Sequence, residues 1–250
     1  MEKQEEMKQT EMKQTEIKQT EIKQEEIKRK SIKGSMTEGN PVKCMLAFAV
    51  PMILGNLFQQ FYNLADSMIV GKLVGQDALA AVGVSTAITM LFVMVAIGTG
   101  IGCSVVISQL FGAGKIKEMK TAISTALTSI MAFSLLLSVI GRVFSRPILA
   151  AMKTPADIFD GAETYMNIYF YGFFFLFLYN AFSAVFNALG DSKKPLYFLL
   201  FSSVFNIGLD LLFVGKFKWG IAGAAWATLI AQAVSAALSF GVLCHKLGQI

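Results

Sequence analysis

Six long apolar runs, parted by short breaks, constrain this chain more than any other feature. They lie near residues 45–70, 79–108, 121–143, 163–189, 195–214 and 220–243. Each has the roughly 20 residues that a bilayer's hydrocarbon core demands. The breaks carry turn chemistry, in "GKLVGQD", "GAGKIKEMK", "RVFSRPILAAMKTPAD", "LGDSKKP" and "GKFKWG". Backbone groups in hydrocarbon have no water to bond, so each run must close its own hydrogen bonds, as an α-helix does. The predicted fold class is therefore all-α: a polytopic transmembrane bundle of six spans over residues 41–250.

Charge separates this bundle from what precedes it. Of the chain's 39 charges, 19 fall in residues 1–43, so the body that follows is charge-poor and apolar. Within residues 1–40, residues 6–30 read "EMKQT EMKQT EIKQT EIKQE EIKRK". A five-residue period advances about 140° per repeat on a helix and scatters Met7, Met12, Ile17, Ile22 and Ile27 around it. On a strand the odd period alternates faces. Neither element gains an apolar side, so this tail reads as low-complexity, charged, cytoplasmic and disordered. It does not read as a secretory signal, because its charged stretch is too long and a full-length span follows. Its last part, "KRKSIKGS", abuts the first span and suits anionic lipid headgroups. An even number of spans leaves both ends on one side. With that side inside, eleven basic residues near the spans are cytoplasmic and six are external, which puts both termini in the cytoplasm. The formal net charge of +5 needs no nucleic-acid partner, since membrane topology accounts for the basic loops.

Two acidic residues of the body, Asp66 and Asp210, lie within spans rather than in loops or at helix ends. A carboxylate there is costly unless neutralised, paired or wetted, so its default reading is functional. Both open the same pattern, D-x-x-x-V-G-K, in "DSMIVGK" and "DLLFVGK". With both helices running outward, each carboxyl sits about 6 Å below the outer boundary, four residues at the helical rise. Asn56, Gln59 and Asn63 precede Asp66 at steps that keep all four on one helix face. Asn206 shares the face of Asp210 one turn earlier. Further polar stripes run through Thr228, Gln232, Ser235 and Ser239, and through Asn180, Ser183 and Asn187 on the span that begins with Tyr165 and Tyr169. Such stripes also serve helix packing. Four of them facing one centre predict a wettable chamber inside a lipid-facing shell.

Enzymatic chemistry has little to work with. The single histidine, His245, follows the last span, and Cys44, Cys103 and Cys244 have neither ligand spacing nor a disulfide framework. No cofactor or tightly held metal is expected. Taken in order, "PMILGNLFQQFYNLADSMIVGKLVGQDALAAVG", "ISQLFGAGK" and "NALGDSKKPLYFLLFSSVFNIGLDLLFVGKFKWGIAGAAWAT" resemble the multidrug and toxic compound extrusion (MATE) transporters over about residues 41–246. The resemblance implies one six-helix lobe of a twelve-helix, two-lobed transporter in the cell membrane. It implies a coupling-ion site at Asp66, Asn206 and Asp210, supported by Gln59, Thr228 and Tyr165. It further implies exchange of H⁺ or Na⁺ for small organic cations, and a second lobe as partner alongside the membrane lipids. With Asn56, Asn63 and Gln232, these residues are the expected cavity lining. A lipid-linked or polysaccharide flippase of related helical build is the alternative. Phosphate-bearing substrates favour basic cavities, whereas this one is acidic.

Overall fold

The computed structural model describes residues 41–249, which form six helices; among the described residues there is no strand. They are α1 (Pro41–Leu73), α2 (Gln76–Gly112), α3 (Ile116–Ala151), α4 (Ala156–Ala188), α5 (Lys193–Asp210) and α6 (Gly220–Gln249). A π-helical turn, Leu211–Lys216, extends α5. All six are long and apolar enough to cross a bilayer. The pentad tail and its basic stretch lie outside the described residues. Residues 46–249 form one compact unit, whose interior is described below.

The helices overrun the predicted spans, most of all between the third and fourth. The stretch "RVFSRPILAAMKTPAD" is not a long loop: α3 stays helical to Ala151 with Pro147 inside it, and α4 resumes at Ala156. Tertiary packing outweighs the proline there. Leu149 is fully buried, and Arg142 and Arg146 lie over the rings of Tyr171 and Phe159 at 4.4 and 5.9 Å.

Helix α4 is the centre of the bundle and packs against α2, α3 and α6. Phe170, Phe173, Phe177 and Phe186 are buried along it, and Phe92 of α2 meets Phe170 and Phe173 with ring centroids 5.3 Å apart. Lipid tails are as apolar as leucine, so close packing rather than hydrophobic expulsion must hold such helices together. The neighbours supply it with small residues. On α3, Ser134, Ser138, Gly141 and Ser145 recur at steps of four, three and four. The Ser138 hydroxyl donates to the Phe170 carbonyl, and a Cβ at position 141 would overlap the Phe170 ring. On α6, Ala224, Ala225, Ala227 and Ala231 are buried. The Ser235 hydroxyl donates to the Phe198 carbonyl at 3.4 Å and Ser202 donates to Ala231 at 3.3 Å, which ties α6 to α5.

Helix α1 is the exception. Its outer end buries Val70 in a cluster with Tyr165, Val214, Ala224 and Ala225. Leu46, Ile53, Leu57, Phe61 and Leu64, further in, are exposed. At the opposite face, Gly190 (φ 76°) lets the α4–α5 connection turn in a conformation that side chains disfavour. Asp191 beyond it accepts from Lys246 Nζ at 2.9 Å and lies 3.4 Å from Lys194 Nζ, both ammonium groups sitting over Phe186. This latch pins the end of α6 to the start of α5.

Two outcomes follow from this packing. Gly141→Ala should destabilise the detergent-solubilised protein by about 1–3 kcal/mol through overpacking against Phe170. Gly83→Ala, with open space at its Cβ, should be neutral or gain about 0.5–1 kcal/mol of helix propensity; thermal melts of both variants check the contrast. For the latch, partial burial alone would raise the Asp191 pKa, but the hydrogen bonds and charges of Lys246 and Lys194 outweigh it and hold the carboxyl below its ordinary 3.8. Its stabilisation is thus complete above about pH 3.8 and lost as pH falls through the depressed folded value. Asp191→Asn should melt lower than the parent at pH 7, with the gap closing in acid; a gap that persists at the lowest pH would contradict the assignment.

Candidate functional site

The two intramembrane acids meet. Asp66 descends from the anchored end of α1 and Asp210 closes the regular part of α5, and their carboxyls come within range of direct interaction. Two carboxyls approach in this way only with a proton or a cation between them. Asp66 is 9% exposed and Asp210 fully buried. One oxygen of each, Oδ1, is buried without a hydrogen-bond partner. Each unmatched acceptor is an attraction for a positive charge.

The neighbours hold Asp210 in place. With its amide oriented to satisfy both groups, Asn206 donates to Asp210 Oδ2 at 2.8 Å and accepts from the Thr228 backbone N–H at 3.1 Å. Thr228 of α6 is buried, and its side chain lies close to Tyr62 of α1. Tyr165 of α4 is buried nearby and stacks on Tyr169 with ring centroids 6.0 Å apart; Tyr169 in turn lies close to Gln232. Four helices thus contribute to one polar cluster: α1, α4, α5 and α6. The π-helical turn starts one residue after Asp210, and such turns recur at functional sites because they displace one side chain from the regular helical stack.

The structure gathers Asp66, Asn206, Asp210, Tyr165, Thr228 and Gln232 from the residues singled out in the sequence. It leaves the inner part of the α1 stripe open. Asn56 and Asn63 are exposed and Gln59 half-buried, with Gln59 Nε2 donating to Asn63 Oδ1 at 3.3 Å and Asn63 Nδ2 to Gln60 Oε1 at 3.4 Å. The stripe on α6 divides: Thr228 and Gln232 face the site, whereas Ser235 bonds to α5. Asn180 bonds back to Leu176 of its own helix at 2.8 Å. Tyr62 escaped the sequence reading. It lies four residues before Asp66, one helical turn, which was the available signal. Among the described residues no three His, Cys, Asp or Glu side chains cluster as metal ligands.

The profile of the MatE family matches residues 51–212, a span that contains both acids. The chain belongs to the MatE family. The chain spans about half the length of the curated relatives it matches. It is 37% identical to "Probable multidrug resistance protein YpnP" of Bacillus subtilis over 212 residues, 84% of this chain and 48% of that protein. It is 27% identical to a protein of Shewanella oneidensis named "FAD transporter", over 82% of this chain and 46% of that one. Among solved structures it superposes on a MOP superfamily transporter from Pyrococcus furiosus with a TM-score of 0.78 at 26% identity, covering 82% of this chain and 45% of that one. A MATE transporter in an outward-facing conformation gives the same values. MatE proteins are membrane transporters, not enzymes, and the six spans make this chain a multi-pass protein of the cell membrane.

Asn206 answers for two buried partners, so its removal is informative. Asn206→Ala should lower stability by about 1–3 kcal/mol, the cost of leaving a buried polar group unpaired. Thermal melting of the solubilised variant checks this; an unchanged melt would mean that Asn206 does not hold Asp210.

Proposed function

We propose that this MatE chain supplies the lobe bearing the coupling site of a secondary antiporter, in which H⁺ or Na⁺ entering at Asp66 and Asp210 is exchanged for an organic cation. The carboxyl pair carries this reading. Its negative charge is matched by no cationic side chain in the cluster, while the site is walled by aromatic and amide groups. One positive charge therefore satisfies it best, and an incoming inorganic cation and an outgoing organic one compete for it. Tyr62, Tyr165 and Tyr169 offer ring faces that attract cations. Alternating access needs two bundles moving around a site. The function is therefore assigned to this lobe together with a second six-helix lobe, from the same gene product or a dimer partner. The multidrug name of the Bacillus subtilis relative supports a drug-like substrate.

The experiment is efflux of a fluorescent lipophilic cation from vesicles holding the chain with a second lobe of the family, driven in turn by a pH and a Na⁺ gradient. Asp66→Asn and Asp210→Asn each preserve shape but remove charge, and each should cut gradient-driven efflux at least tenfold with expression intact. Thr228→Val should weaken it less. Vesicles holding the chain without a second lobe should show none. Undiminished efflux in the double Asp→Asn variant sinks the coupling-site reading.

A further inference from the structure

Where α5 ends, the backbone takes a register that a helix rarely adopts. The π-helical turn Leu211–Lys216 begins one residue after Asp210. The Phe217 N–H donates to the Leu212 carbonyl, five residues back, at 2.9 Å. In α-helical register it would donate to Phe213, four residues back. The Phe213 carbonyl is taken instead by the Trp219 N–H, also at 2.9 Å. The backbone of Trp219 thus occupies the acceptor that a return to the α-helix needs.

The side chains reinforce this. The Trp219 ring stacks on Phe213 with centroids 5.0 Å apart and meets Phe217 at 5.8 Å. Helix α6 closes in behind: a Cβ at position 223 would lie 3.2 Å from the Phe213 carbonyl carbon and 3.1 Å from Trp219 Cβ. Lys218 (φ 56°) and Gly220 (φ 59°) hold the chain in the left-handed region on either side of Trp219. Both flanks of the π turn have fixed neighbours. Asn206 meets Thr228 and Asp210 meets Asp66, while Val214 is buried with Val70, Tyr165 and Ala224. An α-helical register would rotate one flank against the other by about 100°, the turn of one residue. Asp210 and Val214 could not then both keep their places.

We propose that Trp219 is a positioning residue for the carboxyl pair: its N–H and its ring lock the π turn, and the locked turn sets Asp210 against Asp66. Trp219 is itself exposed, so a fully buried acid is held from the outer loop. The bearing of this lock on exchange rests on the coupling-site reading above.

Labelling of the full chain in vesicles by a lipophilic carbodiimide, mapped onto Asp66 and Asp210 by mass spectrometry, tests the lock without transport. Trp219→Ala should raise the ratio of label on Asp210 to label on Asp66 at least threefold, because Asp210 is released from a buried position. Trp219→Phe, which puts a ring back, should restore the parent ratio. Trp226→Ala, at an exposed tryptophan of α6 outside the stack, should leave the ratio unchanged. An unmoved ratio in folded Trp219→Ala, or an equal rise in Trp226→Ala, overturns the proposal. If Trp219→Ala does not fold, Gly223→Ala decides, since its added methyl presses on Phe213 with the rings kept; a ratio that stays at the parent value there overturns the proposal too. Efflux lost in Asp210→Asn with the ratio unmoved in Trp219→Ala removes the lock alone. A raised ratio with efflux intact in Asp210→Asn keeps the lock and removes the antiport reading.

Discussion

Inside a bilayer no hydrophobic force draws one helix to another, and every feature of this bundle answers to that constraint. Helices must be held by shape, and α4 supplies the shape: a column of phenylalanines that α2, α3 and α6 meet. Small residues on α3 and α6 bring the backbones close enough for dispersion contacts to accumulate. Polar groups then add specificity instead of bulk attraction. The Ser138–Phe170, Ser202–Ala231 and Ser235–Phe198 bonds each fix one helix against another at a single height. The carboxyl pair belongs to the same scheme. It ties α1 to α5 near the outer boundary, where Val70 and Val214 also pack.

The same constraint explains what could be read in the sequence. Six spans and their order were legible because length and apolarity are local properties that a bilayer tests one segment at a time. Asp66 and Asp210 stood out for the converse reason, as carboxyls where carboxyls are costly. Their meeting was not written in either segment: D-x-x-x-V-G-K occurs in both, yet the first copy is regular α-helix and the second is π-helical beyond Asp210. The stretch after residue 143 reads as a long break because its turn chemistry is local, whereas α3 stays helical to Ala151. Leu149 and the two arginines that hold the helix together there act across the bundle. Tyr62 is marked only by its place one helical turn before Asp66, since its residue type alone does not separate a neighbour of the carboxyls from lipid-facing bulk.

Polar stripes were the least reliable guide. Hydroxyl and amide residues at helical spacing share a face, but spacing does not say what the face meets. On α6 the stripe divides within two turns, Gln232 joining the tyrosines and Ser235 a carbonyl of α5. On α1 the stripe runs from the buried Asp66 out to the exposed Asn56 and Asn63.

That uncovered length of α1 has a consequence for how the site is reached. The helix is fastened at its outer end, and along the rest its apolar side chains face away from the bundle. Asp66 is therefore not sunk in the middle of a block but set into a seam, on the one wall that this lobe does not brace from behind. Whatever lies against that wall, protein or lipid, touches the same helix that carries Asp66. In the antiport proposed above, a neighbour seated on that wall would bear on the helix that carries Asp66.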